Sequence, residues 1–264
     1  MDAFTNPATL SLGFGLIVGV SLGVTGGGGS IFAVPLLIYG LGIPVRTAIG
    51  LSLAVVGLTA GFGAALRLKA HEIEFQAGLV FAAGGMLFAP MGTWIGQFIS
   101  PAALMTIFAL LMAFVGWRMW SGKAENSDAV GPCVAQGNGR LRSGCYTRLS
   151  LAGAAAGILS GIFGIGGGFV IVPALLYVTG TTIHRAVATS LMVIFLIALS
   201  GVGANIFLGQ LFPMPVSAMF LSGGLIGMIA GAAIRKKLSG PSLRQTFAIA
   251  MWLVGAYIIF KNIS

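Results

Sequence analysis

The chain contains the stretch GLIVGVSLGVTGGGGSIFAVPLLIYGLGIPVRTAIGLSLAVVGLTAGFGAA at residues 15–65 and a second, diverged copy, GAAAGILSGIFGIGGGFVIVPALLYVTGTTIHRAVATSLMVIFLIALSGVG, at residues 153–203. With Gly15 placed opposite Gly153, the two copies align without a gap and are identical at 18 of 51 positions. Each copy is an apolar stretch interrupted by a run of glycines. Apolar segments broken at corresponding positions of two halves indicate a binding site inside a membrane protein. The duplication therefore predicts both the architecture and the place of the site.

The amino-acid composition places most of the chain in lipid. Of the 264 residues, 57% are hydrophobic and 7% are charged, and the mean hydropathy is +1.03, whereas soluble domains have about 25% charged residues. Apolar runs long enough to cross a bilayer form helices, because a helix satisfies its backbone hydrogen bonds internally. The predicted fold class is therefore an all-α, polytopic helical membrane protein in contact with the lipid bilayer.

The same composition argues against several other classes of protein. The net charge of +9 comes from basic residues at the ends of apolar runs, which indicates membrane topology and not nucleic-acid binding. Cys133 and Cys145 lack the spacing of a metal site, and His71 and His184 lie at the ends of predicted spans. We expect no metal, no cofactor, no nucleic-acid partner and no enzymatic activity.

A polar linker divides the chain into two repeats. Residues 1–120 are predicted to form the first transmembrane repeat, residues 121–148 a linker, and residues 149–264 the second transmembrane repeat. Each repeat has about four helical segments. The apolar runs lie at about 8–39, 47–66, 75–98, 101–120, 149–178, 186–208, 213–234 and 243–260.

The first segment of each repeat has an unusual length. The run at 8–39 has 32 residues and the run at 149–178 has 30, which exceeds the roughly 20 residues of one crossing and falls short of the roughly 40 of two. Each contains its glycine run near the middle and then a proline, Pro35 or Pro173, and both residue types weaken a helix. We expect both segments to be broken or re-entrant, as two half-helices that meet at an unwound tip.

The basic residues favour the re-entrant arrangement. If both segments cross the membrane once, the 14 Lys and Arg residues divide into 8 on one side and 6 on the other. If both are re-entrant, they divide into 12 and 2, with Arg46 and Lys261 on the minority side. Because cytoplasmic loops collect Lys and Arg, the second arrangement predicts a cytoplasmic linker and an odd number of crossings in each half. The two halves are then inverted repeats.

The unwound tips predict a site for a small anion. Backbone groups that leave a helix inside a membrane need a polar partner, and the N-terminus of a helix carries roughly half a positive charge. Hydroxyl and amide side chains around the tips complete the expected shell. The predicted substrate-binding residues are Thr25, Gly26, Gly27, Gly28, Gly29 and Ser30 at the first tip, Gly164, Gly166, Gly167 and Gly168 at the second, and Ser52, Thr189, Ser190 and Asn205 on other runs, with Ser160 beside the second tip.

Basic residues near the ends of the predicted spans are candidates for gathering anions. Arg46 and His184 occupy equivalent positions in the two copies, and Arg185 follows directly. We expect them at opposite mouths, either as gating residues or as interfacial anchors of helix ends. The tip hydroxyls also have an alternative interpretation, a bond to a carbonyl of their own helix, and Asn205 has another, an interhelical hydrogen bond.

No acidic residue lies in a predicted span. The five acidic residues are Asp2, Glu72, Glu74, Glu125 and Asp128, all in loops or termini. A carrier driven by protons or sodium ions usually keeps an ionisable group within its spans. The sequence therefore predicts anion export or passive exchange, and a membrane potential that is negative inside favours the export of anions.

The motifs of both copies resemble those of a known family. The glycine run is followed by V-P-L-L-I-Y and A-x-G-x-S-L in the first copy, ending at Leu53, and by V-P-A-L-L-Y and A-V-A-T-S-L in the second, ending at Leu191. In these motifs the chain is similar to the TauE/SafE sulfite exporter family of membrane transporters. The resemblance implies a multi-pass protein of the plasma membrane, the bacterial inner membrane, that exports sulfite or organosulfonates such as sulfoacetate.

Two other functions stay open at this point. An anion channel would use the tips as a filter, and a thiosulfate- or sulfate-type uptake carrier would move its anion inward. The first copy has Leu51 where the second has Thr189, so the two halves do not offer identical ligands. The oligomeric state, monomer or homodimer, is also open.

Overall fold

The computed structural model describes residues 7–68, 72–121, 144–209, 214–235, 249, 252–258 and 260–261. The predicted all-α, polytopic fold is confirmed, because four helices of the described part are long and apolar enough to cross a membrane: Val45–Leu68, Phe75–Phe98, His184–Phe207 and Met214–Ile234. The helices are α1 (Pro7–Thr25), α2 (Gly28–Gly40), α3 (Val45–Leu68), α4 (Phe75–Phe98), α5 (Pro101–Ser121), α6 (Cys145–Phe163), α7 (Gly168–Thr179), α8 (Ile183–Phe207) and α9 (Met214–Arg235), with a further helical stretch, α10, at 252–258.

The second hairpin, α6 and α7, enters and leaves at one end of the bundle. The side-chain amide of Gln76, at the start of α4, donates to the hydroxyl of Tyr146, at the start of α6. From there α6 runs beside α4 to the last turns of both helices. α7 returns after the glycine tip, since the hydroxyl of Thr181 donates to the carboxylate of Glu74, directly before α4. We call this end of the bundle the linker face.

The first hairpin, α1 and α2, begins and ends at the other end of the bundle. α2 runs back along α1, because Gly40, its last residue, packs on the ring of Phe14. α3 starts at the same end, where Arg46 Nη2 donates to the carbonyl of Gln97 near the end of α4, at 2.6 Å. We call this end the opposite face. The two hairpins therefore enter the bundle from different ends.

The two limbs of each hairpin differ in length. The sequence predicted two half-helices in each hairpin, but α1 and α6 have 19 residues each, which is about 28 Å of helix and nearly a full crossing. The return limb α7 has 12 residues, and α2 is irregular, opening as a 3-10 helix and closing with a π-helical turn. The tip therefore folds back from deep in the bundle.

Glycine faces explain the long first limbs. A Cβ on Gly15 of α1 would overlap the carbonyl oxygen of Phe220 in α9, and a Cβ on Gly153 of α6 would overlap that of Phe81 in α4. Small residues let membrane helices approach at backbone distance, and each first limb thereby packs on a helix of the other half. The pairing continues at Gly19 with Gly224 and Gly157 with Gly85, and then at Gly23 with Met228 and Gly161 with Ala89.

The contact between α3 and α8 gives the relative direction of the two halves. These helices are the two copies of one sequence segment, and 67% of the apolar window of each is buried, which places them at the core. Their contacts run in opposite order along the two helices, as inverted repeats require. The contacts are Leu53 with Gly201, Gly57 with Ala198, and Gly61 with Phe195.

We predict that the linker lies in the cytoplasm. A cysteine introduced by Ala129→Cys, in a chain with Cys133 and Cys145 replaced by serine, should react with a membrane-impermeant maleimide in inside-out vesicles and not in intact cells. Ser100→Cys, between α4 and α5 at the opposite face, is the matched control with the reverse pattern. Labelling of Ala129→Cys in intact cells contradicts the topology.

Candidate functional site

The two glycine tips meet at the centre of the bundle. Gly27 of the first tip lies against the backbone of Gly168 in the second, so closely that neither position has room for a Cβ. The alignment of the two copies also relates the flanking contacts, since Gly26 packs on Val187 in α8 and Gly164 packs on Ile49 in α3.

Both of these flanking glycines have a left-handed backbone, with φ of 76° at Gly26 and 69° at Gly164, a conformation that glycine adopts without a Cβ penalty. The glycine runs are therefore needed for the chain reversal and for the contact between the tips.

The hydroxyls of the first tip are bonded within the chain. Thr25 Oγ1 donates to the carbonyl of Ser21 at 2.6 Å and accepts from the amide of Gly29 at 3.2 Å, while Ser30 Oγ donates to the carbonyl of Gly27 at 2.7 Å. Gly28, the first residue of α2, is half-buried. These bonds are those of the alternative interpretation, in which tip hydroxyls satisfy their own backbone.

Ser190 joins the first tip to α8. Its hydroxyl lies 2.9 Å from the carbonyl oxygens of both Gly26 and Val187. The equivalent bond in the other copy would run from Ser52 to the carbonyl of Gly164, and the structure does not contain it. Two positions that are equivalent in sequence are thus in different environments.

The second tip carries two buried hydroxyls that have no hydrogen-bond partner in the described part of the chain. These are Ser52 Oγ and Ser160 Oγ, each on a residue with 0% exposure. The carbonyl of Ser160 accepts from the amide of Gly164, and Gly164 packs on Ile49, one turn before Ser52. A buried hydroxyl without a partner costs about 1–3 kcal/mol. The surroundings of Gly164 therefore contain hydrogen-bonding groups that the described part of the protein leaves unsatisfied.

The remaining glycines of the second tip complete this surface. Gly166 faces Ile194 of α8 and Val56 of α3, and Gly167 lies over the carbonyl of Ala156 in α6. The carbonyl of Gly167 accepts from the amides of Val170 and Ile171, so these two amides are used within the chain. The N-terminal dipole of α7 still points toward the tips.

A polar cluster joins the two halves at the linker face. The amide of Glu74 donates to Thr189 Oγ1 at 2.9 Å, and its carboxylate lies 3.9 Å from the guanidinium of Arg185. Thr181 donates to the same carboxylate, and His184 is exposed beside the cluster. Thr189 therefore joins this cluster to α8, directly before Ser190, whose hydroxyl bonds the first tip.

A small cleft of about 20 Å³ lies at the opposite face. It brings together Arg46 and Asn205, two of the predicted residues, with Thr93 and Gln97 at the end of α4. Sequence reasoning missed Thr93 and Gln97 because it relied on duplicated positions. The available signal was two polar residues four apart, which share one face of an otherwise apolar helix.

Arg67 is a third residue that the sequence did not single out. From the sequence alone, it is only one of the basic residues that indicate membrane topology. Arg67 is 7% exposed, and its Nη2 donates to the carbonyl of Gly23 at 2.9 Å. A cation at this position interacts favourably with the C-terminal end of α1. Arg67 therefore stabilises the last turn before the first tip.

Two oppositely directed repeats whose broken helices meet inside an all-α bundle have the architecture of a membrane transporter. The family model described as sulfite exporter TauE/SafE matches residues 11–258. The chain belongs to this family. It is a membrane protein that acts on a small-molecule substrate, and membership in a transporter family agrees with the prediction that it is not an enzyme.

Similar proteins occur in bacteria and archaea. A "Probable membrane transporter protein" of Xylella fastidiosa (strain Temecula1) is 33% identical over 256 residues, which cover 96% of this chain and 95% of the relative. YdhB of Bacillus subtilis is 31% identical over 248 residues, covering 91% and 94%. MJ0441 of Methanocaldococcus jannaschii is 26% identical over 259 residues, covering 93% and 92%. No solved structure matches the chain.

The contact between the tips predicts the effect of one added methyl group. Gly27→Ala should lower the thermal stability of the purified protein, by about 1–3 kcal/mol for overpacking, because its Cβ would overlap Gly168. Gly13→Ala in α1 is the control, since nothing lies within 4 Å of its Cβ position, and it should melt at or above the wild-type temperature. Equal melting of Gly27→Ala and the wild-type protein contradicts the tip contact.

Proposed function

We propose that the protein is a secondary transporter that exports small sulfur-containing oxyanions, such as sulfite or organosulfonates. It acts in the plasma membrane of a bacterium as a multi-pass protein with its linker in the cytoplasm. The substrate occupies the second tip, between Gly164 and the hydroxyls of Ser52 and Ser160.

The observation that carries the proposal is the pair of buried hydroxyls at the second tip. Ser52 and Ser160 each supply an O–H donor that the described part of the protein leaves unused. The N-terminal end of α7, at Gly168, adds a partial positive charge. Hydroxyl donors and a positive dipole end together favour an acceptor with negative charge, which is the character of an oxyanion.

The absence of acidic groups at the tips supports an anion over a cation. Within the described residues the carboxylates are those of Glu72 and Glu74, both just before α4 at the linker face. Glu74 is already held by Thr181 and Arg185. A cation would therefore find no carboxylate beside the tips in this part of the chain.

The family description supports sulfur oxyanions as the substrate class. The matching family is described as sulfite exporters, and sulfite and sulfonates present compact, negatively charged oxygen groups. Moving one negative charge outward gains about 2.3 kcal/mol per 100 mV of a potential that is negative inside, which favours export.

Two contacts favour a carrier over an anion channel. The glycine tips touch at the centre, and the Glu74 cluster ties α4 to α8 at the linker face. A conducting pore needs a continuous polar path, and these contacts interrupt it. Saturable counter-exchange in vesicles is expected for the carrier, and unitary conductance in a planar bilayer would identify a channel.

Flux measurements on the full-length protein test the substrate class. Proteoliposomes should release sulfite or sulfoacetate with saturation and with acceleration by a membrane potential of the exporting sign. Protein-free liposomes correct for passive leak. Transport of thiosulfate or sulfate in place of these anions would identify the uptake-type alternative, and no flux of any of the four anions overturns the proposed function.

Ser52→Ala separates a ligand role from a structural role. Removal of an unpartnered buried hydroxyl should leave the melting temperature of the ligand-free protein unchanged or higher, because a desolvation cost disappears. The same change should weaken the apparent affinity for sulfite about fivefold, the equivalent of one hydrogen bond of about 1 kcal/mol. Kinetics in proteoliposomes and thermal melting measure the two effects.

Ser222→Ala is the control for this substitution. Ser222 lies on α9 and its hydroxyl donates to the carbonyl of Met219 in its own helix, so the variant should keep the wild-type affinity. An unchanged affinity in Ser52→Ala removes this hydroxyl from the site.

A further inference from the structure

We propose that the cleft at the opposite face is an exit subsite for the transported oxyanion, with the guanidinium of Arg46 as its anion-selecting group. The subsite is formed by Arg46, Thr93, Gln97 and Asn205. The identity of its ligand as a transported sulfite or sulfonate rests on the proposed function. The subsite itself rests on the contacts and charges around Arg46.

Arg46 is a cation without a carboxylate partner in the described part of the chain. Its guanidinium makes one hydrogen bond there, from Nη2 to the carbonyl of Gln97 at 2.6 Å. The described acidic residues, Glu72 and Glu74, lie at the linker face. A guanidinium has five N–H donors, and its planar fork matches two oxygens of an oxyanion. Arg46 is thus fixed through one donor with others left for a ligand.

Buried neutral groups form the inner wall of the cleft. Asn205 is 3% exposed and Thr93 is 5% exposed. Asn205 uses Nδ2 to donate to the carbonyl of Gly201 at 2.9 Å, and Thr93 donates to Ala89. These bonds hold both side chains in place beside the cleft, where the amide group adds a neutral hydrogen-bonding surface next to the cation.

The cleft lies next to the second tip. Ile49 lines the cleft and also packs on Gly164, and Ser52 lies in the next turn of α3. On the other wall, Gly161 lines the cleft and directly follows Ser160 in α6. The residues that carry the two unpartnered hydroxyls are therefore close neighbours, along the chain, of residues that line the cleft.

The linker-face mouth does not repeat this chemistry. His184, the residue equivalent to Arg46, is exposed, and the neighbouring Arg185 lies 3.9 Å from the carboxylate of Glu74. At the linker face the arginine is paired with a carboxylate, whereas at the opposite face Arg46 has no carboxylate partner in the described part of the chain. The duplication provided equivalent positions, but only the first copy forms an anion subsite.

Anion protection of a cysteine in the cleft tests the subsite without any flux. The reporter is Gly96→Cys in the full-length protein with Cys133 and Cys145 replaced by serine, because a Cβ at Gly96 lies 3.5 Å from its nearest neighbour, in Ile162. Gln97→Cys is a second reporter that keeps the backbone carbonyl bound by Arg46. Neutral iodoacetamide labels either cysteine in detergent, at constant ionic strength set with potassium gluconate.

Methanesulfonate and sulfate are the probe anions. Both should slow labelling, and the concentration for half-protection should rise at least fivefold with Arg46→Gln. Arg148→Gln is the matched control, because it removes the same charge from an exposed position on α6 near the linker face, and it should leave protection unchanged. Lack of protection in both reporters, or equal protection with Arg46→Gln, overturns the subsite.

A lipid phosphate is also an oxyanion and could bind Arg46 in the same way. A second labelling experiment distinguishes it from a free anion. Short-chain phosphatidylglycerol replaces the probe anions in the same labelling assay. Protection by phosphatidylglycerol without protection by methanesulfonate assigns Arg46 to lipid anchoring and overturns the proposal. Protection by methanesulfonate in a protein that shows no flux of sulfite or sulfoacetate keeps the subsite and overturns the transport function alone.

Discussion

The structure depends on the backbone contact between glycine faces of the two halves. In lipid no hydrophobic force drives helices together, so close packing of small residues must supply the attraction. Gly15 and the glycines one and two turns after it pack α1 on α9, and Gly153 and the glycines one and two turns after it pack α6 on α4. Because each first limb is completed by a helix of the other half, neither repeat is a closed packing unit. This exchange brings the two tips to the centre, where Gly27 meets Gly168.

The two sequence copies occupy equivalent positions in the bundle but differ in their hydrogen bonds. Ser190 bonds the carbonyl of Gly26, whereas Ser52 leaves Gly164 without the equivalent bond. The linker face is held by the cluster around Glu74, whereas the opposite face has a cleft. The two copies and the two faces of the bundle are therefore not equivalent in this structure.

Much of the fold was predictable from the sequence, and the site was predictable in part. The glycine runs, the hairpin length and the basic residues predicted two interrupted segments and opposite orientations. The choice between a ligand role and a local bond for Thr25, and the bond between Thr189 and Glu74, were not predictable, because the side-chain rotamers and the neighbouring helices decide them. Arg67 and Thr93 were missed because burial of a polar residue depends on which helix covers it. The periodicity of a sequence predicts which residues share a helix face, but it does not predict which other helix packs on that face.

The sequence by itself determined that the chain is a duplicated, glycine-interrupted membrane protein. Composition requires helices in lipid, and glycine and proline mark the points where those helices break. Only the tertiary structure decided that α1 packs on α9 rather than within its own half, and that the hydroxyls of Ser52 and Ser160 are among those left without a partner in the described part of the chain. The reason is physical. Helix formation is satisfied within a segment, whereas the partner of a glycine face lies far away in the sequence, 72 residues for Gly153 and Phe81 and 205 residues for Gly15 and Phe220.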